Sequence, residues 1–202
     1  MSHAPDITLP LVQQLIEEQF PEFSDLVVRP VKVQGHDNRS FRLGNDMLIR
    51  MPTEEAYALK VPKEQKILPK IAPYLTVAIP TPLKLGMPSV AYPFHFSIYQ
   101  WVDGESANHI QIDPNNKEQL AVDLANFLKE LQGLSTQGGP APGQHNWWRG
   151  DHISVYDQQA RAQIEQLASI IDSNKALALW EKALSTRWTS SPVWIHGDFA
   201  SG

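Results

Sequence analysis

The stretch between Leu26 and Pro52 constrains the fold more than any other. It carries three short β-rich runs, "LVVRPVKVQG", "SFRLG" and "DMLIRMP", set apart by "GHDN" and "GND". Short runs punctuated by Gly, Asn and Asp read as strands joined by tight turns, not as helix with its 3.6-residue period. Three strands linked this way predict an antiparallel sheet. In the third run Met47, Ile49 and Met51 alternate with Leu48 and Arg50. Successive side chains of a strand point to opposite faces, so Arg50 is expected opposite a one-sided apolar core.

Helical patterns flank this sheet. Thr8 is a suitable N-cap for a helix carrying Leu9, Val12, Leu15, Ile16 and Phe20, and Pro21 stops it. "TEEAYALKVPKEQKILPKIAPYL" also reads as helix, with Pro62 either opening a second segment or kinking a single one. A Pro-rich connection, "AIPTPLKLGMPSVAYPFH", leads to a further strand, "FSIYQWV". Beyond about residue 105 the period becomes helical. "NNKEQLAVDLANFLKELQGL" is amphipathic through Leu120, Leu124, Phe127, Leu128 and Leu131. Two more helical stretches, Val155 to Ile171 and Lys175 to Trp188, precede a last strand that opens "VWIHGDFASG". The layout is α+β, with residues 1–102 a sheet carrying one helix and residues 103–202 a helical half.

Composition narrows the function. The 202 residues are 42% hydrophobic and carry a net charge of -5 without a Lys/Arg run, which argues against a nucleic-acid surface. There is no cysteine, hence no disulfide framework and no thiolate zinc site. The seven histidines show no HExxH or comparable spacing, so no metal-dependent hydrolase is indicated. With neither a signal peptide nor a membrane-length apolar stretch, a cytoplasmic protein with no membrane partner is expected.

Several polar residues stand where chemistry would need them. His196-Gly197-Asp198 follows the last strand, where it serves either as a plain turn or as the seat of a general base on Asp198. Arg50, in mid-strand, is either solvated on an open sheet face or a fixed guanidinium for phosphate. Glu64 falls on the apolar stripe of Tyr57, Val61, Leu68 and Ile71, whereas Lys63, Lys66 and Lys70 fall off it. An inward carboxylate needs a cation, and Arg50 is the nearest candidate for an ion pair. "GHDNRSF" is placed to cover phosphates but lacks a Walker pattern. Gln100 to Val102 form either a linker or a hinge whose backbone meets an adenine edge. Trp147, Trp148 and His152 belong either to packing or to an acceptor pocket.

Taken together these residues resemble the aminoglycoside phosphotransferases, which share the protein-kinase-like fold. The resemblance rests on "GHDNRSFRLGNDMLIRMP", "KEQKILPKIAPYL", "YPFHFSIYQWVDGE", "WWRGDHISVYDQQAR" and "VWIHGDFASG", in family order from about Leu26 to Gly202. It implies a two-lobed fold, with an antiparallel N-lobe sheet and a helical C-lobe that is incomplete. Arg50 then resembles the phosphate-contacting cation, in the branch with Arg in place of the usual strand lysine, and Glu64 its helix partner. Asp37 and Asn38 resemble the nucleotide-loop tip, and Gln100 and Val102 the hinge. Asp198 resembles the catalytic aspartate that accepts the hydroxyl proton, with His196 shaping the turn.

The implied activity is phosphoryl transfer from ATP or GTP, with Mg2+, to a hydroxyl of a small molecule such as an aminoglycoside. The implied magnesium ligands, an Asn expected right after Gly202 and a later Asp, are not in the sequence. On this reading the 202 residues alone are inactive, expose apolar surface and self-associate, as in a homo-dimer. The competing reading is a non-catalytic nucleotide-binding or interaction module.

Overall fold

The structure, a computed structural model, describes residues 6–107 and 109–199. Ala200, Ser201 and Gly202, at the end of the His-Gly-Asp stretch, lie outside the described residues. The chain divides into two compact units, one running to Pro140 and taking in the segment from Val193, the other Ala141–Pro192.

The first unit opens with α1, Leu9–Gln19, capped as expected by Thr8, whose hydroxyl oxygen accepts from the Leu11 N–H at 3.4 Å. A five-stranded sheet follows, built from β1 (Val28–Pro30), β2 (Asn38–Leu43), β3 (Met47–Pro52), β4 (Pro82–Gly86) and β5 (Phe96–Gln100). Its strand order is β1-β2-β3-β5-β4, and every pairing is antiparallel. Of the run that begins at Leu26, Val28–Pro30 forms the strand, and one further bond, from the Val31 N–H to the Ser40 carbonyl at 3.2 Å, follows it before the loop.

The alternation in β3 holds. Ile49 and Met51 are fully buried with Phe41, Leu43, Phe96 and Ile98, and Val12, Leu15 and Ile16 of α1 belong to the same core. Each such side chain contributes roughly 1.5–3 kcal/mol on leaving water. The register sets Arg50 opposite Ser97 and Leu48 opposite Tyr99, so these four share the other face.

Pro62 opens a second helix. A short α2, Glu55–Ala58, ends before α3, Val61–Ile71, which has a proline in its first turn, where no N–H is missed. On α3 the buried apolar residues are Val61 and Ile67, not the Leu68 of the expected stripe. Strand β4 departs from expectation: the Pro-rich connection pairs with β5 through a register shift between Pro82 and Lys84.

Helix α4, Lys117–Gly133, forms where its period predicts, but of its apolar residues only Leu131 is buried; Leu120 and Leu124 are exposed. Its Glu130 carboxylate accepts from the Thr76 N–H and hydroxyl, each at 2.9 Å. The last strand does not form among the described residues. Val193 and Ile195 are exposed, and no neighbouring strand supplies the ladder that an extended segment needs. The segment is held instead by Trp194, whose indole N–H donates to the Ser135 carbonyl at 2.9 Å.

The second unit contains α5, Asp157–Gln166, and α6, Ser173–Leu184, both shorter than their periodic stretches. Asp157 joins them, accepting from the Trp180 indole at 2.6 Å and from Arg161 at 2.9 Å.

Candidate functional site

The sheet face that carries Arg50 is polar where α3 crosses it. Two consecutive helix residues reach two alternate hydroxyls of β5. The Tyr99 hydroxyl donates to Glu64 Oε2 at 2.6 Å, and the Gln65 amide donates to Ser97 Oγ at 2.9 Å. Both strand residues are buried, and burial is the chief cause that pushes the Tyr99 phenol above its ordinary pKa, with the Glu64 carboxylate adding to it.

The expected ion pair between Arg50 and Glu64 is absent among the described residues. Tyr99 takes the Glu64 carboxylate, and the Arg50 guanidinium lies 5.8 Å from the centre of the Tyr99 ring. A half-buried carboxylate such as that of Glu64 can be stabilised by a strong O–H donor as well as by a cation, and the phenol is the nearer group.

Asp37 and Asn38 sit where the loop after β1 enters β2. The Asp37 carbonyl accepts from both the N–H and the hydroxyl of Thr53, at 2.9 and 3.1 Å. Its carboxylate meets Lys60 at 3.2 Å. Asn38 is buried, opposite Pro52. The loop tip is therefore fastened to the segment between β3 and α3. Within the loop, Gln34 mimics a strand partner, exchanging bonds with Ser40 and reaching the Val31 carbonyl.

At the far end of β5 the Gln100 N–H is engaged by the Thr81 carbonyl at 2.8 Å. Val102, two residues on and exposed, makes no backbone hydrogen bond among the described residues. Between them Trp101 is fixed from two sides, its indole donating to Asp103 at 2.6 Å and the Arg42 guanidinium stacked 3.7 Å from the ring centre.

His196 and Asp198 lie on the terminal segment beside α4. Gly197 has φ 77°, a conformation natural to glycine, which makes the tripeptide a sharp turn. The His196 ring packs edge-on against Phe199 at 5.0 Å and faces Phe127 at 6.4 Å. This turn borders a cavity of about 320 Å³ that Leu128 and Leu131 also line.

In the second unit Trp147 and Trp148 have φ 52° and 55°, two successive left-handed residues without glycine's freedom. The Tyr156 hydroxyl donates to the Trp147 carbonyl, and His152 contacts Ser154 Oγ and the Thr186 carbonyl.

Thus Arg50 and Glu64 are gathered around Tyr99, Asp37 and Asn38 on the Thr53–Lys60 side, Gln100 and Val102 at the strand exit, and His196 and Asp198 on the terminal segment beside α4. Sequence reading missed Tyr99, Lys60 and Thr53. The signal for Tyr99 was its parity: it shares a face with Ser97, and two polar groups on the inner side of a central strand need partners.

This sheet-and-helix arrangement has solved counterparts. The chain matches the GDP and kanamycin complex of APH(2")-IIia with 24% identity and TM-score 0.66, covering 93% of this chain and 64% of that one. It matches the GDP complex of wild-type aminoglycoside 2'-phosphotransferase-IIIa with 22% identity and TM-score 0.64, covering 93% and 63%. Macrolide 2'-phosphotransferase MphH from Brachybacterium faecium matches with 18% identity and TM-score 0.61, covering 96% and 66%. The chain thus has the protein-kinase-like fold of these enzymes, and it spans 64% and 63% of the lengths of the first two. No curated protein sequence matches it. The sequence matches the phosphotransferase enzyme family over residues 27–202, and the chain belongs to that family.

Proposed function

We propose that the protein is a small-molecule kinase that moves the γ-phosphoryl group of ATP or GTP to an acceptor hydroxyl, with an aminoglycoside as the first acceptor class to test. Family membership supports the reaction type. The observation that carries the nucleotide assignment is Arg50. It is a partly buried guanidinium without an ion pair among the described residues, and it stands on the polar face of β3, beside the strand that exits at Val102.

In this reading residues 1–102 hold the nucleotide and residues 103–202 the acceptor side. The Val102 backbone, and that of Gln100, meet the base. The loop tip at Asp37 and Asn38 covers the phosphates, and Arg50 neutralises them, with Glu64 held in place nearby. Asp198 accepts the proton of the acceptor hydroxyl as its oxygen bonds to the γ-phosphorus. The bond from that phosphorus to the bridging oxygen breaks, and the nucleoside diphosphate leaves. His196 shapes the turn that presents Asp198.

Magnesium, which the family implies, finds no group of three His, Cys, Asp or Glu among the described residues that could hold it, so no step is derived through it. No described helix is long and apolar enough to cross a membrane. Cytoplasmic location and a homo-dimer belong to the same proposal.

Calorimetric titration with ATP and with GTP tests the reading. Saturable binding that weakens about ten- to a hundredfold in Arg50→Ala, the range for loss of a charged hydrogen bond, is the expected result. Equal affinity in the variant would overturn the role of Arg50.

A further inference from the structure

Glu64 bonds the hydroxyl of one buried phenol, and Arg50 lies over the ring of the same residue. The Tyr99 hydroxyl donates to Glu64 Oε2 at 2.6 Å, and the face of its ring looks toward the Arg50 guanidinium at 5.8 Å. Tyr99 is 1% exposed, so this alignment is fixed by packing on all sides. Its neighbours in the ladder, Leu48 on β3 and Pro82 on β4, hold the backbone. The Gln65–Ser97 bond, one residue along the helix and two along the strand, holds α3 in register above it.

The three groups are chemically matched. A phenol that donates to a carboxylate gains electron density on its oxygen and in its ring. A ring enriched in that way attracts a cation over its face more strongly. The helix acceptor thus polarises the ring that lies by the strand cation, without contact between Glu64 and Arg50, and Arg50 has no ion pair among the described residues.

We infer that Tyr99 is a positioning residue of the nucleotide site, coupling the Glu64 carboxylate to the Arg50 guanidinium through its hydroxyl and ring in place of a strand-to-helix salt bridge. The inference rests on the reading of Arg50 as the phosphate cation. It assigns to the phenol a function that neither composition nor spacing shows.

The two arrangements differ in what they demand of Glu64. A salt bridge needs its charge. A phenol relay needs chiefly an acceptor oxygen within reach of the Tyr99 hydroxyl, which a glutamine amide still supplies. The whole chain is therefore titrated with ATP and with GTP in magnesium buffer, as unaltered protein and as Arg50→Ala, Tyr99→Phe, Glu64→Gln, Glu64→Ala, Gln65→Ala and the Tyr99→Phe/Glu64→Ala double variant.

Tyr99→Phe and Glu64→Ala are each expected to weaken binding about tenfold, the scale of one charge-assisted hydrogen bond. The double variant is expected to lose no more than either alone, because both delete one linkage. Glu64→Gln is expected to lose only about threefold, because the neutral acceptor keeps a bond roughly half as strong as the charge-assisted one. Gln65→Ala, which cuts the adjacent pin, measures what a loosened helix alone costs in affinity, and the losses in Tyr99→Phe and Glu64→Ala are expected to exceed it severalfold; losses no larger than that of Gln65→Ala would overturn the inference.

The inference is overturned if Tyr99→Phe binds as the unaltered chain does, or if Glu64→Gln is as weak as Glu64→Ala. If Arg50→Ala binds normally, or if no protein binds, the nucleotide reading fails first and the relay with it. Should Tyr99→Phe lose cooperative unfolding, the contrast between Glu64→Gln and Glu64→Ala decides alone.

Discussion

Gly86→Ala tests the seam between β4 and β5, on which both the candidate hinge and Tyr99 depend. Gly86 pairs with Phe96 across that seam. A methyl group added at Gly86 would lie 2.1 Å from Phe96 Cε1, 2.3 Å from Cζ and 2.4 Å from Cδ1. Carbon atoms rest at about 3.5–4.0 Å, so the ring would have to retreat by roughly 1.5 Å. It has nowhere to go: Phe96 is fully buried, and the rings of Phe20 and Tyr92 meet it nearly edge-on at 6.2 and 6.0 Å. Overpacking of this kind costs about 1–3 kcal/mol.

In a chain of this length that loss lowers the unfolding temperature by about 3–10 °C. The sign is informative, because Gly86 is not among the glycines with positive φ. Without the clash, replacing glycine by alanine would raise stability by about 0.4–1 kcal/mol through the unfolded chain. Thermal unfolding followed by near-ultraviolet circular dichroism measures the change. In a Phe96→Leu background the alanine is expected to cost much less, since the clashing ring is gone. An unchanged or raised unfolding temperature for Gly86→Ala, or an equal cost in both backgrounds, would refute the packing argument.

Other outcomes follow from single contacts. The buried Tyr92 hydroxyl donates to the Pro52 carbonyl at 2.7 Å, so Tyr92→Phe leaves that carbonyl unsatisfied; a loss of about 1–3 kcal/mol is expected in urea unfolding. In the second unit the Trp180 indole and then Arg161 hold the Asp157 carboxyl below its usual pKa. A carboxyl depressed in the folded state adds stability above its unfolded pKa, and that stability is lost as pH falls through the folded one. Asp157→Asn is therefore expected to flatten the acid side of an unfolding-temperature profile below about pH 4, read with Trp180 fluorescence.

How much of this was legible depends on which contacts a residue needs. Strands β2 and β3 were readable because adjacent runs and a Gly-Asn-Asp turn supply each other's hydrogen bonds locally, and alternation alone set Arg50 apart from Ile49 and Met51. Helix α1 carried its own cap and stop in Thr8 and Pro21. Strand β4 was hidden because its prolines mask a β pattern that only pairing at a sheet edge, next to β5, reveals. The segment at Val193 fails in the opposite sense: its β-branched and aromatic residues favour a strand, but propensity without a partner makes no ladder.

The site shows the same division. Charge balance predicted that an inward Glu64 requires a partner, and it has one, in the donor that stands nearest. That donor is a phenol two residues from Ser97 on a strand 35 residues away in sequence. Coulomb reasoning ranks cations first, yet inside a sheet a short O–H donor in van der Waals register outcompetes a guanidinium whose reach is set by its own strand. The residue a carboxylate chooses is thus decided by β-ladder register, which spacing along the chain does not encode. It follows that Arg50 makes no ion pair with Glu64 among the described residues and lies instead over the Tyr99 ring.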